Sequence, residues 1–278
     1  MSGVARPLPT MRVGRLVRYA TAIAVSLLFL IPLLLCVNGA LKPPAEISNV
    51  LLPPSGVYLD NFRQGWGRIG AGLINSLLIT IPAVALSILV GSLAAYPLSR
   101  MGVRQSRPIF LLLLSGMFVP YQIVQIPVFT IMARTGLYNT IPGLWLVHIA
   151  YGIPVCTFFM RNYFVTMPKS MYEAAQIDGC SPTSYFFRIL MPAALPGLAA
   201  LAIVQSRAVW NDLLFAMTLT SDDRTMPVTA ALNGFVSSTE VQYGPLMASA
   251  IISVAPMIII FLAFQKAFIR GLLGGSSK

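Results

Sequence analysis

The long apolar runs of the sequence contain isolated polar side chains that could bind a polar ligand. Arg207 and Asn211 are four residues apart, and His148 and Tyr151 are three apart, so each pair would share one face of a helix. Amide, imidazole and guanidinium groups hydrogen-bond to hydroxyls, and a tyrosine ring can stack on a ligand ring. We therefore predict a ligand path lined by Arg207, Asn211, His148, Tyr151, Gln122 and Gln125.

These side chains also have a structural alternative, because polar residues between membrane helices often hydrogen-bond to a neighbouring helix. We expect that role for Gln122, Gln125 and Trp145, and Trp145 could also belong to an aromatic belt at a membrane interface. For His148 both roles stay open. We expect Arg207 to face the ligand path, since exposure of an ionised side chain to lipid costs free energy.

The sequence has no residue pattern typical of a catalytic or metal site. It contains one histidine, eight carboxylates without a ligand-like cluster, and three cysteines (Cys36, Cys156 and Cys180) without CxxC spacing. The phosphate-binding motif GxxxxGK[ST] does not occur. We therefore expect that the chain is not an enzyme by itself and that it holds no cofactor or metal.

The elements that position the polar residues are predicted to be membrane-spanning helices. The chain of 278 residues has a mean hydropathy of +0.78 and only 10% charged residues, which argues against a soluble domain. The first apolar run is longer than the core of a signal peptide, so we interpret it as an uncleaved span. We predict an all-α membrane protein with one transmembrane domain, residues 1–278, and spans at about 18–38, 69–98, 108–133, 139–160, 192–215 and 245–266.

Small residues recur every four positions in the second span, at Ser87, Gly91 and Ala95. Such a stripe lets another helix approach closely, so we interpret it as a packing surface.

Basic residues predict the orientation of the spans. Six spans place both termini on one side, which we assign to the cytoplasm because it holds 13 of the 19 Lys and Arg residues. The net charge of +11 thus reflects membrane topology rather than nucleic-acid binding. The residues on that side are Arg6, Arg12, Arg15, Arg18, Arg100, Arg104, Arg107, Arg161, Lys169, Arg188, Lys266, Arg270 and Lys278.

A short polar segment, residues 168–192, separates the fourth and fifth spans. Ser170 and Glu173 have the spacing of a capping box, which predicts a helix start. Gly179 predicts a left-handed stop, and Ser181 followed by Pro182 predicts the cap and first position of a second short helix. The polar segment is therefore predicted to fold as helix, glycine turn, helix.

The polar segment also resembles the EAA loop of ABC-type importer permeases. Glu173-Ala174-Ala175 is followed after three residues by Gly179, after nine more by Ile189, and after one more by Met191-Pro192. The stretches ALKPPAEI, WNDLLFAMTLT and IRGLLGG are similar to the maltose-type, carbohydrate-uptake branch of that family. The resemblance implies a six-helix type I importer bundle in which the loop couples to an ATP-binding subunit through Glu173, Ala174, Ala175, Gly179, Ile189 and Pro192.

The resemblance implies a permease of an ATP-driven importer for a sugar or oligosaccharide, in a bacterial inner membrane with both termini cytoplasmic. The implied partners are a second permease, two ATP-binding subunits that hold ATP and magnesium, and an extracytoplasmic solute-binding protein. A permease for amino acids or peptides is the alternative. A secondary transporter is a further alternative. It would need an ion-coupling site near the middle of the membrane, and the only carboxylate in the apolar runs is Asp212, near the end of a span.

Overall fold

The computed structural model describes the backbone of residues 9–236 and 241–273 and the side chains of residues 14–236 and 241–266. Arg6 and Lys278, which the count of basic residues included, lie outside the described residues. Those that are described form helices, turns and loops without a strand, which confirms the all-α prediction. The α-helices are α1 (Pro9–Ala40), α2 (Asp60–Arg100), α3 (Ser106–Ser115), α4 (Tyr121–Arg134), α5 (Ile141–Thr166), α6 (Lys169–Ile177), α7 (Pro182–Tyr185), α8 (Met191–Ala193), α9 (Leu195–Trp210), α10 (Leu214–Leu219), α11 (Val228–Val236) and α12 (Tyr243–Leu273).

Four of these helices are long and apolar enough to cross a membrane, over Gly14–Ala40, Asp60–Arg100, Ile141–Thr166 and Tyr243–Lys266. Two bent pairs meet the same criteria when each pair is taken together. They are Ser106–Phe118 with Tyr121–Arg134, bent by 91°, and Pro182–Ala193 with Leu195–Trp210, bent by 76°. The described residues thus provide four spans, or six if each bent pair is one span, which fits the predicted six.

The first bend has a clear cause in the backbone at Val119 and Pro120. Val119 is extended, with φ −78° and ψ 112°, because the proline ring disfavours a helical conformation in the residue before it. Pro120 then acts as the N-cap of α4. The predicted span 108–133 therefore contains a sharp bend that its uninterrupted hydropathy did not indicate.

The chain forms two compact units, each with its own contacts. The smaller comprises the described residues up to Gly67 together with residues 241 to Ile252, and the larger comprises the described residues from Arg68 to Ser238 and from Ser253 onward. In the smaller unit, Asn61 Nδ2 donates to the carbonyl oxygens of Ala40 (2.9 Å) and Lys42 (2.8 Å), which orders the loop after α1.

Small residues bring α2, α5 and α9 of the larger unit close together. A β-carbon added to Gly91 would collide with the side chain of Cys156. One added to Gly152 of α5 would lie 2.5 Å from Ser87 Oγ on α2 and 2.5 Å from Gln205 Nε2 on α9. The predicted packing role of the small-residue stripe on α2 is thereby confirmed.

Asn139, between α4 and α5, fixes the loop that follows α10. It adopts a left-handed φ of 55°, and its backbone N–H donates to the carbonyl oxygen of Leu219 at 2.9 Å. Its Oδ1 accepts from Ser221 N, and its Nδ2 donates to Asp222 Oδ2, each at 2.9 Å. The pKa of the Asp222 carboxyl is lowered by several contacts, of which the hydrogen bond from Asn139 has the largest effect. These bonds hold α10 against α4 and α5.

Candidate functional site

The polar segment contains the predicted glycine turn. Gly179 has φ +72°, and Cys180 N donates to the carbonyl oxygen of Ala175 at 2.9 Å, which closes the end of α6. The Ser181 side chain caps α7, whose first residue is Pro182. The sequence predictions of a left-handed stop and a capped second helix are both confirmed.

The predicted capping box at the start of α6 is wrong. The helix begins directly after Pro168, so Ser170 already lies in its first turn and makes no capping bond to the backbone. Pro168 is the N-cap, with φ −58° and ψ 134°. Because Pro168 itself holds the extended N-cap position, Ser170 is the second helical residue and lacks the extended conformation that a capping serine needs.

One face of α6 packs into the protein and the opposite face is exposed. Ala175 is buried, at 5% exposure, in the core of the larger unit. Glu173 and Ala174 are exposed, and Ile177 is 86% exposed. The Glu173 carboxylate makes no hydrogen bond or ion pair within the part of the chain that the structure describes. Such a face, with an apolar side chain and a free carboxylate, suits docking to another protein. Of the other predicted coupling residues, Gly179 and Pro192 are exposed and Ile189 is half-buried.

A cavity with a volume of about 800 Å³ is lined by residues of α4, α5, α9, α10 and the turn between α9 and α10. That volume is within the range of small-molecule sites. The structure brings five of the six predicted path residues together around it. They are Gln125, His148, Tyr151, Arg207 and Asn211.

Aromatic rings form one side of the cavity, with Phe215 at their centre. Its ring centroid lies 5.4 Å from that of Tyr151 and 6.0 Å from that of Tyr121. His148, which is 8% exposed, meets Phe215 edge-on, with centroids 6.3 Å apart and an interplanar angle of 88°. These rings give the cavity an aromatic side against which the C–H face of a sugar ring, or a flat ligand ring, can pack.

The turn after α9 positions the polar groups of the cavity. Asn211 leaves the helical conformation and its Nδ2 donates to the carbonyl oxygen of Arg207 at 2.9 Å. Asp212 Oδ2 accepts from Phe215 N at 3.1 Å and Ala216 N at 3.2 Å, so this carboxylate satisfies the first amides of α10. Asn211 therefore ends α9, and Asp212 holds the start of α10, which carries Phe215 at the cavity.

Arg207 is exposed on α9, and its guanidinium makes no hydrogen bond or ion pair within the described residues. It lines the main cavity and also a second groove of about 390 Å³ between α9, α11 and α12, whose other lining side chains are mostly apolar. The unpaired guanidinium could therefore bind an anionic or hydrogen-bonding partner in either the cavity or the groove.

Gln122, Gln125 and Trp145 were expected to hydrogen-bond to neighbouring helices, and this is confirmed for two of them. Gln125 of α4 donates to Thr218 Oγ1 of α10. Trp145 Nε1 of α5 donates to the carbonyl oxygen of Leu78 on α2 at 2.9 Å. Gln125 nevertheless also lines the cavity, whereas Gln122 is exposed and does not line it.

Residues 53–274 match the sequence model of the family described as the binding-protein-dependent transport system inner membrane component. The chain belongs to this family. The permease is 33% identical over 283 residues to the xylose/arabinose import permease XacI of Haloferax volcanii, which covers 93% of this chain and 92% of that protein. It is 32% identical over 252 residues to the melibiose/raffinose/stachyose import permease MelC of Bacillus subtilis, with coverage of 89% and 91%.

The fold of the permease is also similar to a solved structure. It matches a chain of the crystal structure of a bacterial ABC transporter involved in the import of the acidic polysaccharide alginate, with a TM-score of 0.81 and 21% identity. The match covers 95% of this chain and 100% of that chain. The predicted importer-permease fold is thereby confirmed, and with the family it identifies a multi-pass membrane protein.

Sequence reasoning missed three residues that shape the cavity of the permease: Tyr121, Asp212 and Phe215. Asp212 drew attention only as the one carboxylate in the apolar runs. Its distance of three residues from Phe215 is the spacing of a helix cap and could have indicated its role. Tyr121 and Phe215 carry no such signal, because an aromatic residue in an apolar run is equally typical of a lipid-facing position.

Proposed function

We propose that this permease forms half of the translocation path of an ATP-driven importer for a sugar or oligosaccharide. The cavity supports the proposal, since it combines aromatic rings with amide, imidazole and guanidinium groups that can hydrogen-bond to hydroxyls. The relatives XacI and MelC, which are import permeases for xylose/arabinose and for melibiose/raffinose/stachyose, support a carbohydrate rather than an amino acid or peptide.

The proposed assembly contains a second permease, two ATP-binding subunits that hold ATP and magnesium, and an extracytoplasmic solute-binding protein. The family description, a component of binding-protein-dependent transport systems, supports the last of these partners. Both termini and the polar segment then lie in the cytoplasm, where ATP is present. The permease itself makes and breaks no covalent bond.

The exposed face of α6 supports a coupling role for the polar segment. ATP brings the two ATP-binding subunits together, and the exposed face of α6 moves with the subunit on which it is docked. That movement switches the helices around the cavity between an inward-facing and an outward-facing arrangement, as a rigid-body change between two packed states. The cavity then releases the sugar on the cytoplasmic side.

The observation on which this proposal rests is the two-sided character of α6. Ala174 is exposed beside Glu173, while the neighbouring Ala175 is buried. In the assembled complex, Ala174→Cys should cross-link to a cysteine in the ATP-binding subunit, and Ala175→Cys, the matched control, should not. If the Ala174→Cys variant assembles but forms no cross-link, or if both variants cross-link equally, the docking role of α6 is refuted.

The substrate class is tested by uptake into proteoliposomes that contain the complete complex and its solute-binding protein. We expect ATP-dependent uptake of one or more labelled mono- or oligosaccharides and no uptake of labelled amino acids or dipeptides. Uptake of an amino acid or peptide alone would overturn the sugar assignment and leave the importer assignment intact.

A further inference from the structure

Near its end, α2 is bonded to the polar segment, from which it is distant in sequence. The Tyr96 hydroxyl donates to the carbonyl oxygen of Pro182, the first residue of α7, at 3.2 Å. The Tyr96 ring centroid lies 6.0 Å from that of Tyr185 and 5.3 Å from that of Phe186. One side chain of α2 thus holds the second half of the polar segment by a hydrogen bond and two ring contacts.

Four residues further along α2, Arg100 is bonded to the end of α5. Its Nη2 donates to the carbonyl oxygen of Phe164 and, at 2.6 Å, to that of Met167. The last carbonyl groups of a helix lack partners within the helix and carry partial negative charge, so a guanidinium there is doubly favourable. Arg100 therefore fastens α2 to α5 immediately before α6 begins.

A third contact brings α6 into the same group. The ring of Tyr172 on α6 meets that of Tyr185 on α7 edge-on, with centroids 5.0 Å apart and an interplanar angle of 71°. Tyr185 is fully buried. We call Tyr96, Arg100, Tyr172 and Tyr185 the latch, since together they join α2, α5, α6 and α7 through side chains.

The chain itself provides only weak mechanical links at this place. α6 is joined to α5 through Met167 and Pro168, and to α7 through the turn at Gly179, around which there is open space. α2 has no covalent link to the polar segment nearby. A displacement of α6 can therefore reach α2 through non-covalent contacts, and the latch supplies the hydrogen bonds and ring contacts among them.

We propose that Tyr96 and Arg100 are positioning residues that make α2, α5 and the polar segment move as one body, so that a displacement of α6 is transmitted to the helices around the cavity. This inference rests on the proposed coupling role of α6 and goes beyond it. Docking of α6 explains how the permease receives the motion. The latch explains how that motion reaches α2, which is not joined to α6 along the chain.

The alternative is that the latch is only part of the static core. The two possibilities differ in what happens when one bond is removed and the rings stay. Tyr96→Phe removes the hydrogen bond to Pro182 and keeps the ring contacts, so the core stays packed. Arg100→Met removes both bonds to α5 and keeps an apolar stem.

The test uses the complete complex in proteoliposomes, with two measurements on each variant: the rate of ATP hydrolysis and the amount of labelled sugar transported. Two variants are the matched controls. Tyr138→Phe removes a hydroxyl from a ring packed on Phe129, and Arg104→Met removes an exposed charge in the loop between α2 and α3. One hydrogen bond shifts an equilibrium by about fivefold. For Tyr96→Phe we expect the sugar transported per ATP to fall by about that factor, and for Arg100→Met, which removes two bonds, by more. Assembly should be normal in both variants, and the controls should show no change.

The outcomes separate the latch from the coupling role on which it rests. A normal ratio of transport to hydrolysis in both variants overturns the latch. So does a parallel loss of both activities in proportion to lost complex, which is the result for a purely structural role. Absence of the Ala174→Cys cross-link in the otherwise unchanged permease would instead refute the docking of α6. The distance between spin labels at Gln176→Cys on α6 and Leu93→Cys on α2 measures this directly. It should stay constant through the ATP cycle only while the latch is intact.

Discussion

Replacement of Gly179 tests whether the backbone geometry of the polar segment is needed for coupling. The residue has φ +72°, in the left-handed region, and a β-carbon added to it would meet no atom within 4 Å. A side chain there costs free energy through the backbone conformation alone, about 1–2 kcal/mol for an ordinary L-residue. That cost lowers the population of the present turn by a factor of about 5–30.

Two substitutions of similar size separate geometry from bulk. Valine is β-branched and strongly disfavours a positive φ, whereas asparagine visits the left-handed region readily. We expect Gly179→Val to reduce ATP-dependent sugar uptake by about 5- to 30-fold, and Gly179→Asn to keep most of it. Uptake is measured at equal amounts of assembled complex, quantified by co-purification of the ATP-binding subunits.

Each result has a distinct meaning. Normal uptake by Gly179→Val would refute the reasoning, because the left-handed turn would then be dispensable. Equal losses in both variants would show that the docked partner approaches Gly179 too closely for any side chain, since the permease alone leaves that space open. In that case the geometric explanation is wrong even though the segment takes part in docking.

Three further predictions follow from single residues. Glu173→Ala should leave the thermal stability of the permease unchanged, because Glu173 is not part of a cap, and should weaken the Ala174→Cys cross-link; a loss of stability without weaker cross-linking would contradict this. Arg207→Met should lower uptake at limiting sugar without loss of assembly, whereas normal uptake would show that Arg207 only extends toward the membrane surface. Tyr185→Phe should be neutral or stabilising in a thermal unfolding assay, because it removes a buried hydroxyl without a partner among the described residues. Its control, Tyr185→Ala, should lower the free energy of unfolding by about 3–5 kcal/mol, as for other large aromatic core residues.

Local signals in the sequence predicted the polar segment well because each depends on one or two residues. Gly179 adopts a left-handed φ and Ser181 caps α7, since glycine favours positive φ at the end of a helix and serine favours the N-cap position. The capping box failed for an equally local reason. Pro168 starts α6 before Ser170 can act as its cap, and a motif search that reads Ser170 and Glu173 alone does not weigh the proline in front of them.

The cavity shows where single-sequence reasoning reaches its limit. Helical spacing correctly placed Arg207 with Asn211 and His148 with Tyr151, because each pair belongs to one continuous chain segment. Which pairs share a cavity depends on the bends at Pro120 and after α9, and hydropathy is the same on both sides of a bend. Phe215 reaches the rings of α4 and α5 only because α9 ends at Asn211 and α10 starts at once, with its first amides bonded to Asp212. The polar residues of the path could therefore be identified from their high cost in a membrane, but the aromatic residue at its centre could be identified only from the fold.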